Sequence, residues 1–292
     1  MASRWTNRKP QTGTRVEFDR GYAREHGLVG AWILNETHPR DLSEIGNHAR
    51  PADSTGFNAP TARVRATPHG AGYDFNANTG RHRLTLGTIG PDNPLNLVAD
   101  SDTQNRATVV FRALKETGQS NDFGRIIDVS TGTNGTDGWG VGADSRASPN
   151  AKWVFFKEAL AGSSDADMFQ FSTYQNVAIT FEATEADELN FYLDGAHYSA
   201  NGHGSPNTFE TTSKTGAIGH WNHNNTDRSW CGMIDYVYVF NRLVPAREIA
   251  RLALTPYCYL RPVRARTFFL APAPPVGGGF NAWYAGGTQV AV

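Results

Sequence analysis

The stretch GHWNHNNTDRSW, residues 219–230, packs His220, Trp221, Asn222, His223, Asn224, Asn225, Asp227 and Arg228 between two apolar runs. Indole rings offer flat apolar faces, and amides, carboxylates and guanidinium groups read hydroxyls. A loop of this kind suits contact with a glycan or with another subunit. Trp230, beside the next apolar run, is expected to turn inward as a plug. A second cluster, EATEADEL, holds Glu182, Glu185, Asp187 and Glu188. Hydrolysis of a glycosidic bond needs two carboxylates on one face, about 5 Å apart for a retaining mechanism. Along a strand that means acids two residues apart. No Glu-x-Asp-x-Glu pattern occurs in an apolar strand here, and EATEADEL falls between two strands. It reads as a charged hairpin loop, and no catalytic residue is assigned.

Other chemistries find no foothold. The chain has no G-x-S-x-G, no P-loop and no H-E-x-x-H. His220 and His223 flank Trp221 in a loop and read as polar loop residues rather than metal ligands. Asp122, Asp128, Asn134, Asp137 and Asp144 offer oxygens, but no D-x-[DN]-x-[DN]-G loop gathers them. No cofactor is implied, and calcium is the one alternative these oxygens leave open. Cys231 and Cys258 are too few for a disulfide framework or a zinc site and read as reduced thiols.

The elements that must position these groups follow from composition and periodicity. Hydrophobic residues are 39% of the 292, enough for a core, and the net charge is −1. So small a charge gives no electrostatic reason to expect nucleic acid or an anionic membrane. No run reaches the roughly 18 apolar residues of a membrane span, and MASRWTNRKPQ lacks the apolar stretch of a secretory signal. The expected setting is a soluble protein made in a cytoplasm.

Short runs rich in Val, Ile, Phe, Tyr and Trp recur at 27–34, 71–75, 83–89, 107–114, 124–130, 138–144, 152–159, 168–172, 176–184, 189–199, 215–221 and 233–240. Gly, Asn, Asp, Ser or Pro punctuates them, as turns punctuate strands. Helical periodicity appears only at PAREIARLAL, 245–254. The predicted fold is all-β: a two-sheet antiparallel jelly-roll sandwich over 27–256 with one short C-terminal helix. Residues 1–26 read as an extended arm. Residues 257–292 read as a basic, then Pro/Gly-rich tail, whose Phe280, Trp283 and Tyr284 would dock on a partner.

Three stretches in order carry a resemblance. They are GLVGAWILNETHPRDLSEIGNHA (Gly27, Leu28, Trp32, Asp41, Leu42, Gly46, Asn47, His48), YQNVAITFEATEADELNFYLDG (ending at Asp194 and Gly195), and GMIDYVYVFNRLVPAREI (with Asp235, Asn241, Arg242 and Glu248). Together they resemble the laminin G-like group of the concanavalin A-like lectin/glucanase jelly rolls. The basic lead and the exit TPYCYLRPVRAR are similar to a subset found in structural proteins of tailed bacteriophages. That resemblance implies a non-enzymatic virion protein, a head decoration or a tail or neck component, located in the particle. It implies capsid or tail proteins and further copies of the chain as partners, with a host-surface glycan as the alternative ligand.

Within these motifs four residues are expected to be architectural. Asp194 and Gly195 make a hairpin turn. Asp235, sharing a face with Val237 and Val239 by alternation, must find donors, expected from a neighbouring loop. Related domains often place Ser three residues before Glu248; here Pro245 stands there and would start the helix by its preset φ, with Ile249 and Leu252 packing back on the sandwich.

Overall fold

The structure is a computed structural model and describes residues 9–51, 64–75, 82–97, 106–117, 123–131, 138–145, 151–157, 159–165, 168–182, 188–199, 213–220 and 228–263. In chain order the strands are β1 (Val16–Phe18), β2 (Leu28–Ile33), β3 (Arg50–Pro51), β4 (Val64–Thr67), β5 (Gly70–Asp74) and β6 (Leu84–Ile89). They continue with β7 (Arg106–Lys115), β8 (Phe123–Ser130), β9 (Gly138–Asp144), β10 (Lys152–Lys157), β11 (Ala159–Ser163) and β12 (Gln175–Glu182). The last are β13 (Glu188–Leu193), β14 (Ala196–Ser199), β15 (Lys214–Ile218), β16 (Gly232–Phe240) and β17 (Leu260–Pro262). Two helices join them, α1 (Arg20–His26) and α2 (Ala246–Leu254).

Two antiparallel sheets face each other, as predicted. One runs β11-β10-β9-β8-β15-β6-β3 and the other β14-β13-β12-β7-β16-β5-β4, with β2 also paired to β16. The jelly roll closes on an inner core that includes Trp32, Phe75, Phe111, Trp139, Trp153, Phe155, Ile179, Phe191 and Trp230. Trp139 and Trp153 are core residues, each 1% exposed. A second core covers the outer face of the β7–β16 sheet. There Tyr236, Tyr238 and Phe240 pack under Phe18, Tyr22, Ile249, Leu252, Tyr257 and Leu260.

The second core is why residues 9–26 are not an extended arm. Asp19 caps α1, its carboxylate accepting from the Tyr22 amide, and Gly27 ends the helix at φ 65°. Tyr22 and Ala23 are then buried on the sandwich, and β1 pairs with β17. The N-terminal segment is thus a third layer, tied to the segment that follows α2.

MFQFS, 168–172, is not a strand. The Gln175 side chain donates to the Met168 carbonyl at 2.7 Å and accepts from the Gln170 amide at 3.0 Å, folding the segment into a loop. Its apolar residues serve as a plug instead, with Met168 and Phe169 buried in the inner core.

β16 holds a bulge. Ile234 pairs with Ala113 and Tyr236 with Arg112 of β7, so Asp235 is the extra residue. On the other edge of β16 the partner changes at the same place, from β5 at Met233–Ile234 to β2 from Tyr236 onward. The bulge shifts the alternation expected from sequence: Ile234 joins Val237 and Val239 in the inner core, while Asp235 leaves that face.

Candidate functional site

Gly219 and Trp230 stand next to each other. Gly219 adopts φ 79°, and a Cβ there would lie 2.1 Å from the Phe75 ring, so only glycine fits. Its amide donates to Ile126 O at 3.0 Å, and its carbonyl accepts from the Trp230 amide at 2.8 Å. His220 is fully buried. Trp230 is also fully buried; its indole N–H donates to Leu114 O at 3.2 Å and its ring stacks on Trp153 at 5.8 Å. Trp221, Asn222, His223, Asn224, Asn225 and Asp227 lie outside the described residues, as do Phe280, Trp283 and Tyr284.

Arg228 stands beside the sheet. Its guanidinium stands 5.8 Å from the centre of the Phe123 ring. Phe123 meets Phe156 edge-on at 5.8 Å, and the Arg125 guanidinium lies over Phe156 at 3.3 Å. Phe123 and Phe156 are half-buried, as is Arg228. The cluster depends on β9. Arg125 of β8 faces Gly142, and Phe156 of β10 faces Gly140, so two glycines leave β9 bare between them. Arg125 therefore reaches across β9 to Phe156. A side chain at Gly140 would also meet the Asp128 carboxylate at 2.9 Å.

Beneath the rings is a buried ion pair. Arg125 Nε lies 3.4 Å from Asp128 Oδ2, and Ser130 Oγ donates to Asp128 Oδ1 at 2.5 Å. Burial lowers Arg125 to about 10, opposed by Asp128, and burial pushes Asp128 up, opposed by Arg125. Each thus opposes the shift that burial imposes on the other. With Asp128 committed to Arg125 and Ser130, this cluster presents two half-buried aromatic rings and Arg228, not a free carboxylate. Phe123, Arg125 and Phe156 were not singled out in the sequence; the alternating glycines of GWGVGAD were the signal that something crosses that strand.

Of the acidic cluster, only the Glu182 side chain lies among the described residues. Glu182 accepts from Arg106 Nε at 2.6 Å, Glu185 and Asp187 lie outside the described residues, and so does the Glu188 side chain. Among the described residues no group of three His, Cys, Asp or Glu could hold a metal. Cys231 is buried and Cys258 half-buried, and neither is in a disulfide.

The structural residues are placed as follows. Asp194 (φ 48°) and Gly195 (φ 85°) form the two-residue turn between β13 and β14, and Asp194 Oδ1 accepts from Asn176 Nδ2 at 2.8 Å. Asp235 is fully buried, with Lys9 Nζ at 3.2 Å and Arg112 at 3.6 Å. Its partners are two charges in ion-pair contact, one from the N-terminal segment and one from β7, rather than hydrogen-bond donors of a loop. Arg112 in turn donates to Asn176 Oδ1 at 2.7 Å, which links the bulge to the Asp194 turn. Pro245 sits at the N-cap without a side-chain cap bond; its carbonyl accepts from Glu248 and Ile249. Glu248 accepts from Tyr259 Oη at 2.6 Å.

A cleft of about 820 Å³ lies between α1 and α2, lined by Tyr22, His26, Glu248, Arg251, Cys258 and Tyr259 among others. Tyr22 stacks on Tyr259 at 3.5 Å and the Arg251 guanidinium stands 4.7 Å from the same ring. The floor ring is thereby occupied by the chain's own groups.

Comparison with known proteins agrees with this architecture. A family model described as the concanavalin A-like lectin/glucanases superfamily matches residues 92–250, more than half of the chain. Among curated proteins none matches the sequence. Among solved structures, Trypanosoma rangeli sialidase in complex with sialic acid is similar at a TM-score of 0.52 and 16% identity, covering 78% of this chain and 33% of that one. The chain thus spans about a third of the sialidase's length. Domain 4 of AbnA, a GH43 extracellular arabinanase from Geobacillus stearothermophilus solved with arabinotriose, is similar at a TM-score of 0.51 and 13% identity. That match covers 78% of this chain and 98% of that domain. At such identities the likeness is one of fold. The match of this family model over more than half of the sequence places this chain in the concanavalin A-like lectin/glucanases superfamily.

Proposed function

We propose that this chain is a non-catalytic carbohydrate-binding sandwich whose ligand contacts Phe123, Phe156 and Arg228. The observation that carries the reading is the pair of half-buried phenylalanine rings with a guanidinium beside them. A phenylalanine ring face suits the C–H surface of a sugar, and Arg228 suits its oxygens. A small-domain neighbour of the same fold solved with arabinotriose supports the choice of ligand class. The test is a broad glycan array followed by titration of the strongest ligand. Phe123→Ala and Arg228→Ala are each expected to weaken binding at least fivefold, about 1 kcal/mol, with unchanged circular dichroism. An array with no ligand, or wild-type affinity in both variants, would sink the proposal.

A second reading, a structural subunit of a bacteriophage virion that assembles with its own copies or with capsid or tail proteins, has one observation in its favour. β1 and β17 pair, and the Val263 amide donates to Arg15 O at 3.1 Å. The segment after α2 is therefore held on the domain up to Val263, a fixed point that suits tethering to a larger body. Sedimentation of the full chain as a monomer at every concentration, with no retention by purified particles, would count against it.

A further inference from the structure

Residues 9–15 cross the domain between two anchors. At one, Lys9 is buried: its Nζ lies 3.2 Å from Asp235 Oδ1 and also donates to Ala71 O, and its amide donates to His69 O at 3.2 Å. Glycines of β5 shape the socket. A Cβ at Gly70 would lie 3.0 Å from Lys9 Cβ, and one at Gly72 would lie 2.6 Å from Asp235 Oδ1. The other anchor is the β1–β17 pair. Between them, residues 11–15 are exposed. They are tied down through Pro10 O, which accepts from Asn35 Nδ2 at 2.9 Å, and Thr12 Oγ1, which donates to Asn35 O at 3.0 Å. A cleft of about 290 Å³ lies against this segment, lined by Gly13, Thr14, Arg15, Asn35, Glu36 and Arg40 among others.

We propose that residues 9–15 are a latched strap that opens beside this cleft while the sandwich stays folded, with the Lys9 side chain in the Asp235 socket as the latch. An exposed stretch with few apolar contacts has little to hold it except its anchors. The ammonium regains water on opening, which offsets the lost ion pair. Arg112, 3.6 Å from Asp235, keeps the carboxylate partnered in the open state, so release leaves no isolated buried charge. The groups around the socket bias the strap in one direction. Lys9 faces Asp235 of β16, Arg112 of β7 and His69 of the β4–β5 turn, and Tyr174, Tyr236 and Tyr257 feel the same Asp235 and Arg112 charges. Burial lowers Lys9 to about 8, and burial, with Arg112 and Lys9, lowers His69. Closing therefore releases protons at both groups, and acid favours the open strap.

Amine acetylation of the full chain, read lysine by lysine by mass spectrometry, tests this. Lys115 and Lys214 are 1% and 2% exposed in the sandwich and report global unfolding, while half-buried Lys152 reports free access. Lys9 is expected to react about tenfold faster than Lys115 and Lys214 and about tenfold slower than Lys152. Asp235→Asn is expected to speed Lys9 about fivefold and leave Lys115 and Lys214 unchanged. Lys9 reacting no faster than Lys115 and Lys214 would mean that it opens only when the whole domain unfolds. Lys9 reacting as fast as Lys152, or unmoved by Asp235→Asn with Lys115 and Lys214 still protected, would mean there is no latch. Each of these results overturns the proposal.

Discussion

Lys9 enters the fold with its ammonium withdrawn from water, and its socket does not fully repay the loss of hydration. Burial lowers it from 10.5 to about 8, against the opposing attraction of Asp235. Between those values the unfolded chain binds the proton and the folded one does not. Stability therefore rises with pH across this window, and below about pH 8 the penalty of the buried charge is fully present. Lys9→Met removes the titration but keeps much of the apolar stem. The unfolding free energy of the wild type relative to Lys9→Met is expected to rise by roughly 2 kcal/mol between pH 7 and pH 10, groups common to both cancelling. Urea midpoints at several pH values measure it; a difference that stays flat or falls with pH refutes the assignment. A buried acid on β16 was legible in the sequence, and so was its need for donors. That a lysine more than 200 positions away in the chain answers that need with an ion pair was not, because no local pattern encodes a contact across that separation.

Elements were legible in proportion to how apolar and how regular they are. β2, β6, β7, β8, β9, β12 and β16 fall within a residue or two of their predicted runs. β1, β3, β4 and β17 are two to four residues long and half exposed, too short to show a period. α1 was missed although its ends are marked, by Asp19 as N-cap and Gly27 as terminator, because seven residues give too few turns for an apolar stripe. The Asp194–Gly195 turn was read as a hairpin, yet its second role was invisible. A Cβ on Gly195 would lie 2.7 Å from the Ala250 backbone of α2, so the turn also seats the latch helix. Gly195→Ala combines that clash with strain at φ 85° and is expected to destabilise by about 2 kcal/mol. Thermal unfolding should shift down by about 4–8 °C; an unchanged midpoint would mean that α2 does not rest on the turn. The cluster at Phe123, Arg125 and Phe156 was hidden for a related reason: it is assembled by register across three strands, and only the bare glycines of β9 mark it in the sequence.

At the scale of the whole molecule the chain has two cores of unequal dependence on its ends. The inner one is sealed by the facing sheets and includes Trp139, Trp153 and Trp230. The outer one needs Phe18, Tyr22, Tyr257 and Leu260 from the flanking segments to cover Tyr236, Tyr238 and Phe240. The two should separate under truncation. Removing residues 1–18 takes away β1, Lys9 and Phe18, which is 3% exposed and stands edge-on to Tyr238 at 5.1 Å. Losing one buried phenylalanine costs about 3 kcal/mol, which lowers the midpoint of a domain this size by about 6–12 °C. The near-ultraviolet signal of the inner tryptophans should persist, and binding of a hydrophobic dye should rise as the tyrosine face becomes accessible. Loss of the tryptophan signal together with the dye response would show that the layers fold as one unit. Retention of the wild-type midpoint would show that the N-terminal segment contributes nothing to the outer core. The expected result, a folded inner sandwich with an uncovered outer face, would make residues 9–26 a cover added to a lectin-like domain rather than a part of its frame.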